Sequence, residues 1–152
     1  MHRDAFAAYL QTGMPISRIG QTIGTCGASA GTHEKDGEFE GHDYTVCTDI
    51  RVRDLSYDAA RDWLRIFWAH GFAGWFRCAA FPEDHWPGVT HLHIIWPAAP
   101  MKEICRHQVH DFCATPSKTG LASHLTYHFA QPTEAQRQVV RAGFLAHNPV
   151  ED

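Results

Sequence analysis

A chain of 152 residues with 44% hydrophobic and 20% charged residues has the composition of an ordinary globular protein, large enough to bury its own core as one domain spanning 1–152. Its net charge of −4 argues against a sequence-independent nucleic-acid binder, which needs a basic surface. No apolar run approaches the roughly 20 residues that a membrane helix requires.

The first segment, MHRDAFAAYLQTG, carries charges at both ends of a short apolar stretch. It reads as a surface helix over 3–11 and not as a signal peptide. The expectation is synthesis in the cytoplasm, with later export left open. Residues 13–37 are rich in Gly, Ser and Thr and read as loops with one or two short strands. Tyr44 to Val52 reads as a strand. Val46, Thr48, Ile50 and Val52 share one face, and Thr45, Cys47, Asp49 and Arg51 the other. Ser56 is a candidate N-cap for a helix whose buried stripe is Ala60, Trp63, Leu64 and Phe67, stopped by Gly71. Ala73 to Cys78 is the next strand, followed by a loop over 79–88 with Pro82 and Pro87. Thr90 to Trp96 is a strand closed by Pro97 and Pro100. A helix over 101–113, a loop through Pro116 and Gly120, and a helix from Thr133 to Ala146 complete the chain. Strands with helices grouped apart from them predict an α+β fold, a small antiparallel sheet with helices packed on one side.

Five cysteines, Cys26, Cys47, Cys78, Cys105 and Cys113, contain no C-x-x-C pair, so a thiolate zinc knuckle is not expected. Their odd number, with no recognisable signal peptide, favours mostly reduced thiols.

Histidines are numerous, twelve in all, and they cluster at His85, His91 and His93 and at His107, His110, His124 and His128. In THLHIIWP, His91 and His93 alternate along a strand, which presents two imidazoles on one face with Cα atoms about 7 Å apart. Asp49 lies in a strand too apolar to be a solvated edge. A carboxylate there is costly unless it is paired with a cation: Arg51, Arg53, Arg77 or a metal. Two His and one Asp with a position left open is a set that a catalytic zinc site uses. The first histidine is either His33 or His42. His42 precedes Asp49 by an H-x6-D step, but if 43–49 is one strand the two lie more than about 20 Å apart. A hairpin turning near Glu40-Gly41 brings His33 back beside Asp49 instead.

Arg77 in GWFRC is either a surface arginine or a clamp for an anion or carboxylate. Trp75, Trp86 and Trp96 read as core or groove lining. His107, His110 and Asp111, one turn apart in CRHQVHDFC, read as a solvated helix face before a second metal site.

In order, ASAGTH (28–33), CTDIRVRDLS (47–56), the helix with its aromatic stripe, GFAGWFR (71–77), WPGVTHLHIIWP (86–97) and RHQVHDFCATPSKTGLASH (106–124) resemble the zinc peptidases and amidases of the peptidase M15, or LAS, group. The likeness is to the peptidoglycan-hydrolase-like branch and covers about residues 20–125. It implies a Zn2+ site with Asp49 and His93 as ligands, joined by His33 on local sequence or His42 on spacing. It also implies His91 as the acid/base group and a cell-wall or other peptide as substrate; Arg77, from its own chemistry, is the candidate catalytic residue that would hold a substrate carboxylate or stabilise the oxyanion. Where that group has a short glycine-rich turn between histidine and aspartate, this chain has EKDGEFEGHDYTV (34–46), either a longer hairpin beside the site or a disrupted site. The alternative expectation is a non-catalytic metal-binding or phage structural module on the same fold.

Overall fold

The computed structural model describes residues 1–24, 31–81 and 86–148. Four short strands pair antiparallel in the order β1 (Ile19–Gln21), β4 (Cys47–Arg51), β6 (His91–Ile95), β5 (Ala73–Arg77). Two more, β2 (Gly37–Phe39) and β3 (His42–Tyr44), form a separate hairpin. Four helices complete the described fold: α1 (Arg3–Thr12), α2 (Tyr57–Ala69), α3 (Glu103–Cys113) and α4 (Glu134–His147). A small antiparallel sheet with helices around it is the expected α+β class. None of these helices is long and apolar enough to cross a membrane.

The punctuation follows the chemistry of the chain. The Ser56 hydroxyl accepts from the Ala59 amide at 3.2 Å and starts α2, and Gly71, at φ +85°, follows its end. Thr133 and Gln136 form a reciprocal capping box that starts α4. Glu40 and Gly41, at φ 51° and 78°, make the two-residue turn that joins Phe39 to His42.

The strand expected over 44–52 is interrupted at Thr45-Val46. The Asp36 carboxylate accepts from the Thr45 hydroxyl at 3.0 Å and from the Val46 amide at 2.7 Å, taking the place of a strand partner. Its other oxygen accepts from the Lys102 amide at 3.1 Å. Asp36 thus ties the hairpin to the start of α3.

Each face of the sheet has its own cover. On one face α2 presents Ala60, Leu64, Phe67 and Trp68, all buried; Trp68 takes the core position expected of Trp63, which is only half-buried. A Cβ on Gly74 would lie 3.1 Å from Ile94 Cγ2 and 3.4 Å from Leu64 Cδ1, so the glycine lets α2 sit close on the sheet. The other face carries Cys47, Asp49, His93 and Trp75, and here α3 reaches in. Phe112 meets the Trp75 ring edge-on at 5.9 Å, and Cys105 touches Cys47. Helices are therefore not confined to one side: α3 borders the face that bears the candidate ligands.

The loop after α3 closes the β5 edge. The Trp75 indole donates to the Lys118 carbonyl at 2.8 Å, and a guanidinium N–H of Arg77 donates to the Thr119 carbonyl at 2.6 Å.

Candidate metal centre

Strand register assembles most of the site. Asp49 on β4 pairs with His93 on β6, which pairs in turn with Trp75 on β5. One step along and back on the same face lie Arg51, His91 and Arg77. His33 arrives from outside the sheet. The Glu40-Gly41 turn reverses the chain, and Asp36 donates its amide to the Tyr44 carbonyl at 2.8 Å. The segment before β2 is thereby laid back toward β4. His33 is fixed there by its carbonyl, which accepts from the Gly24 amide at 2.9 Å.

The result is a compact group in which one ligand atom each from His33, Asp49 and His93 lies within 4.8 Å of the others. Asp49 Oδ1 is 3.1 Å from His33 Nε2 and 2.9 Å from His93 Nδ1. His91 Nε2 stands further out at 3.5 Å. Among the described residues, the close partners of Asp49 are thus histidines, in place of the arginines at 51, 53 and 77.

The remaining ring nitrogens decide what these histidines offer. His33 Nδ1 is 2.8 Å from the Thr22 carbonyl, an acceptor, so that nitrogen carries the proton. His93 Nε2 faces Gln108 Oε1 at 3.4 Å, and Gln108 is oriented by its amide nitrogen, which donates to the Gly120 carbonyl at 3.0 Å. His91 Nδ1 faces the Val89 carbonyl at 2.7 Å. Assigned from these acceptors, each neutral imidazole turns its lone pair toward Asp49. Lone pairs facing a carboxylate at hydrogen-bond distance repel unless a cation sits among them. An outward N–H held by a carbonyl or carboxamide is also how metal-binding histidines are fixed in tautomer and direction.

The electrostatics point the same way. Burial pushes the Asp49 carboxyl up, but hydrogen bonds donated by His33 and His93 in their protonated forms, with the charges of His93 and His91, outweigh it and hold it well below the ordinary carboxylate range. Burial pushes His93 down to about 4 against the attraction of Asp49. His91 is also lowered by burial, opposed by Asp49 and the Val89 carbonyl. The carboxylate therefore stays ionised beside two imidazoles, His91 and His93, that resist protonation. A divalent cation satisfies both at once.

The donor set fits zinc. Tetrahedral Zn2+ with bonds of about 2.0–2.1 Å places its donors about 3.3 Å apart, a few tenths of an ångström from the spacings at Asp49. His33 and His93 side chains are 5% exposed and Asp49 is 20% exposed, so the open side of the triad faces a cleft of about 280 Å³. His91, Arg77 and Trp86 also line that cleft.

The two candidates for the first histidine separate cleanly. His42 is exposed on β3, paired across the hairpin with Phe39, and lines a different depression with Met1, Arg3 and Asp43. His42 lies at the turn end of β3, outside the group that Asp49 forms with His33 and His93, so the H-x6-D spacing joins nothing and His42 is corrected out of the ligand set. Arg77 is buried, 1% exposed, not a surface residue; its guanidinium lies over the Trp75 ring at 5.2 Å. Trp75 is core beneath His93, Trp86 packs edge-on against His91 at 5.2 Å, and Trp96 packs on Phe72.

No second triad forms on α3 among the described residues. His107 faces Glu103, His110 packs on the Phe144 ring, and Asp111 accepts from His124 Nδ1 at 2.9 Å. Asp111 is buried by this pairing, contrary to a solvated face. Cys26, Pro82, His85 and residues 28–30 of the ASAGTH motif lie outside the described residues.

Gln108 and the Thr22 and Val89 carbonyls were not anticipated from the sequence. Gln108 did leave a signal: it sits in the buried stripe Cys105, Gln108, Val109, Phe112 of α3, where a polar side chain needs a partner. Gln108→Leu is expected to keep the fold and weaken zinc binding by about 10–100-fold, because His93 loses its outward acceptor. Competition with a chromogenic chelator measures this; unchanged affinity would show that His93 needs no such support.

The pH response of the metal-free protein has a defined sign. His93, at about 4, lies below its unfolded value of about 6.5, so the unfolded chain binds the extra proton. Its contribution to stability is complete above about pH 6.5 and is lost as pH falls through about 4. Asp49, also lowered, adds a loss in the same direction only below the ordinary carboxylate range. Urea unfolding should therefore show a loss on the order of 2 kcal/mol between pH 7 and pH 4.5. His93→Gln should remove most of that difference; an undiminished difference would assign it to other groups.

No protein-family model, no curated protein and no solved structure matches this chain, and what can be said of its chemistry comes from its own residues.

Proposed function

We propose that the protein is a zinc-dependent hydrolase of peptide or amide bonds, with cell-wall peptide as the substrate class, in keeping with its resemblance to the peptidase M15 group. The observation that carries this reading is the convergence of lone pairs from His33 and His93 on an ionised Asp49 at the edge of an open cleft. Three protein ligands with an open position are the mark of catalytic zinc, whereas structural zinc is closed by four. His42, the residue that would have closed the set, is elsewhere.

Zinc in such a site supplies an activated water and Lewis acidity. The protein supplies the rest. His91 holds its Nδ1 proton on the Val89 carbonyl and keeps Nε2 open. Its lowered pKa leaves Nε2 unprotonated at neutral pH, able to take a proton from the attacking water and return it to the departing amine. Arg77, buried and anchored on the Thr119 carbonyl, gives the cleft a fixed positive charge for a substrate carboxylate or the developing oxyanion.

The shape suits an extended substrate. The cleft shares Thr32, Gln108 and Leu121 with a neighbouring cavity of about 360 Å³ and shares Gln21, Asp49, Val89 and His91 with another of about 240 Å³. A chain bound in the cleft would thus find further walls in two adjoining cavities. Incubating zinc-loaded protein with purified peptidoglycan and its soluble peptides, and measuring new amino groups, tests the reading. Chelator-sensitive amine release is expected. Zinc binding without release from any such substrate would favour the non-catalytic module.

A further inference from the structure

On the sheet face that carries the candidate ligands, but outside the lining of the cleft, lie two thiols that the proposed chemistry does not use. Cys47 on β4 and Cys105 on α3 are both 0% exposed, and their sulfurs are 3.2 Å apart although 58 positions separate them in the chain. Cys113, the other cysteine of α3, faces the Arg137 carbonyl instead, and Cys78 faces the Thr90 hydroxyl. We propose that Cys47 and Cys105 are a cross-linking site, oxidised to a single disulfide when the chain meets a small-molecule disulfide such as oxidised glutathione.

The geometry asks little. A disulfide needs its sulfurs at about 2.05 Å, so these must close by roughly 1 Å. While the site is still open, during folding or a local opening of α3, one cysteine, as thiolate, attacks the small disulfide, forming a mixed disulfide and expelling one small thiolate. The second cysteine attacks the protein sulfur of that mixed disulfide and expels the other. Two protein thiols are oxidised, one small disulfide is reduced to two thiols, and the two protons pass to the leaving thiolates.

The position gives the bond a consequence. Cys47 precedes Asp49 by two residues on the same strand face. Cys105 lies one turn before Gln108, which faces His93, and its sulfur is 3.8 Å from the carbonyl of Thr32, the neighbour of His33. A covalent bond here staples the strand that carries Asp49 to the helix that orients His93. The oxidised chain should unfold at a higher temperature and release metal more slowly.

The test is to hold the folded protein, and in parallel protein refolded from urea, in oxidised glutathione. Free thiols are then alkylated under denaturing conditions, and the peptides are mapped by mass spectrometry. The expected product is one linked pair, Cys47 with Cys105, in at least one preparation. The thermal midpoint should rise by about 10 °C over the reduced protein, a rise absent from Cys105→Ala and from Cys47→Ala, each compared with its own reduced form. Full alkylation of both cysteines in both preparations, or their linkage to Cys26, Cys78 or Cys113, would overturn the assignment. A correct link with no rise in midpoint would overturn the stapling role. Neither result depends on whether the protein cleaves a peptide.

Discussion

His33→Ala, Asp49→Ala and His93→Ala are each expected to lower zinc affinity by more than about a hundredfold, while His42→Ala leaves it unchanged. The lower bound follows from the second shell: removing a group that only orients a ligand typically costs about 10–100-fold, and removing the ligand itself costs more. Asp49 should be the most sensitive position. It is the only anion of the triad, and both histidine lone pairs are directed at its Oδ1. In Asp49→Ala those lone pairs face only each other and the cleft. The parent should bind close to one equivalent of zinc, read by chelator competition, with circular dichroism confirming that each variant folds. A parent that stays metal-free under saturating zinc would leave the facing lone pairs to be reconciled by a proton alone. A larger loss at His42 than at His33 would mean that the ligand-bearing loop is arranged differently from the hairpin described.

The sequence marked this site unevenly, for physical reasons. Asp49 and His93 were legible because strand alternation and apolar neighbours leave a carboxylate and an imidazole with few ways to be satisfied. His33 was legible only through a turn: Glu40-Gly41 announced a reversal, and reversal brings 33 back to 49. Spacing along the chain misled at His42, because two strands, β3 and β4, with only the short break at Thr45-Val46 between them, separate where seven residues of loop would join. The cap at Ser56, the stop at Gly71 and the helix start at Thr133 were local signals and appear where expected, the last as a capping box with Gln136. The break at Thr45-Val46 was not local: it depends on Asp36, a residue whose two carboxylate oxygens bind backbone on different elements. The reach of α3 over the ligand face was likewise invisible to periodicity, which shows that a helix buries a stripe but not which face of a sheet it meets. Gln108 and the Thr22 carbonyl act through such contacts, and their roles appear only once the chain is folded.

His91→Ala is expected to retain zinc and fold but lose at least about a hundredfold in hydrolysis of a substrate that the parent cleaves, since positioned acid–base groups contribute about 10²–10⁴-fold. The distinction from His93 rests on placement. His93 is buried with Nδ1 at 2.9 Å from Asp49, whereas His91 Nε2 is 3.5 Å away and His91 stands outside the group of mutually close ligand atoms. A residue in that position has a lone pair near the open side of the metal without being needed to hold it. Because burial lowers its pKa, the parent's kcat/KM should already be near its plateau at neutral pH. It should fall as acid protonates His91, and His91→Ala should lose that dependence along with the rate. Arg77→Ala provides the contrast: zinc binding unchanged, since a guanidinium is no ligand, but weaker use of substrates bearing a carboxylate near the scissile bond. Loss of zinc in His91→Ala would make it a fourth ligand and close the site, which would favour the non-catalytic module. Retained zinc with undiminished turnover would move the proton-carrying role to another group in the cleft.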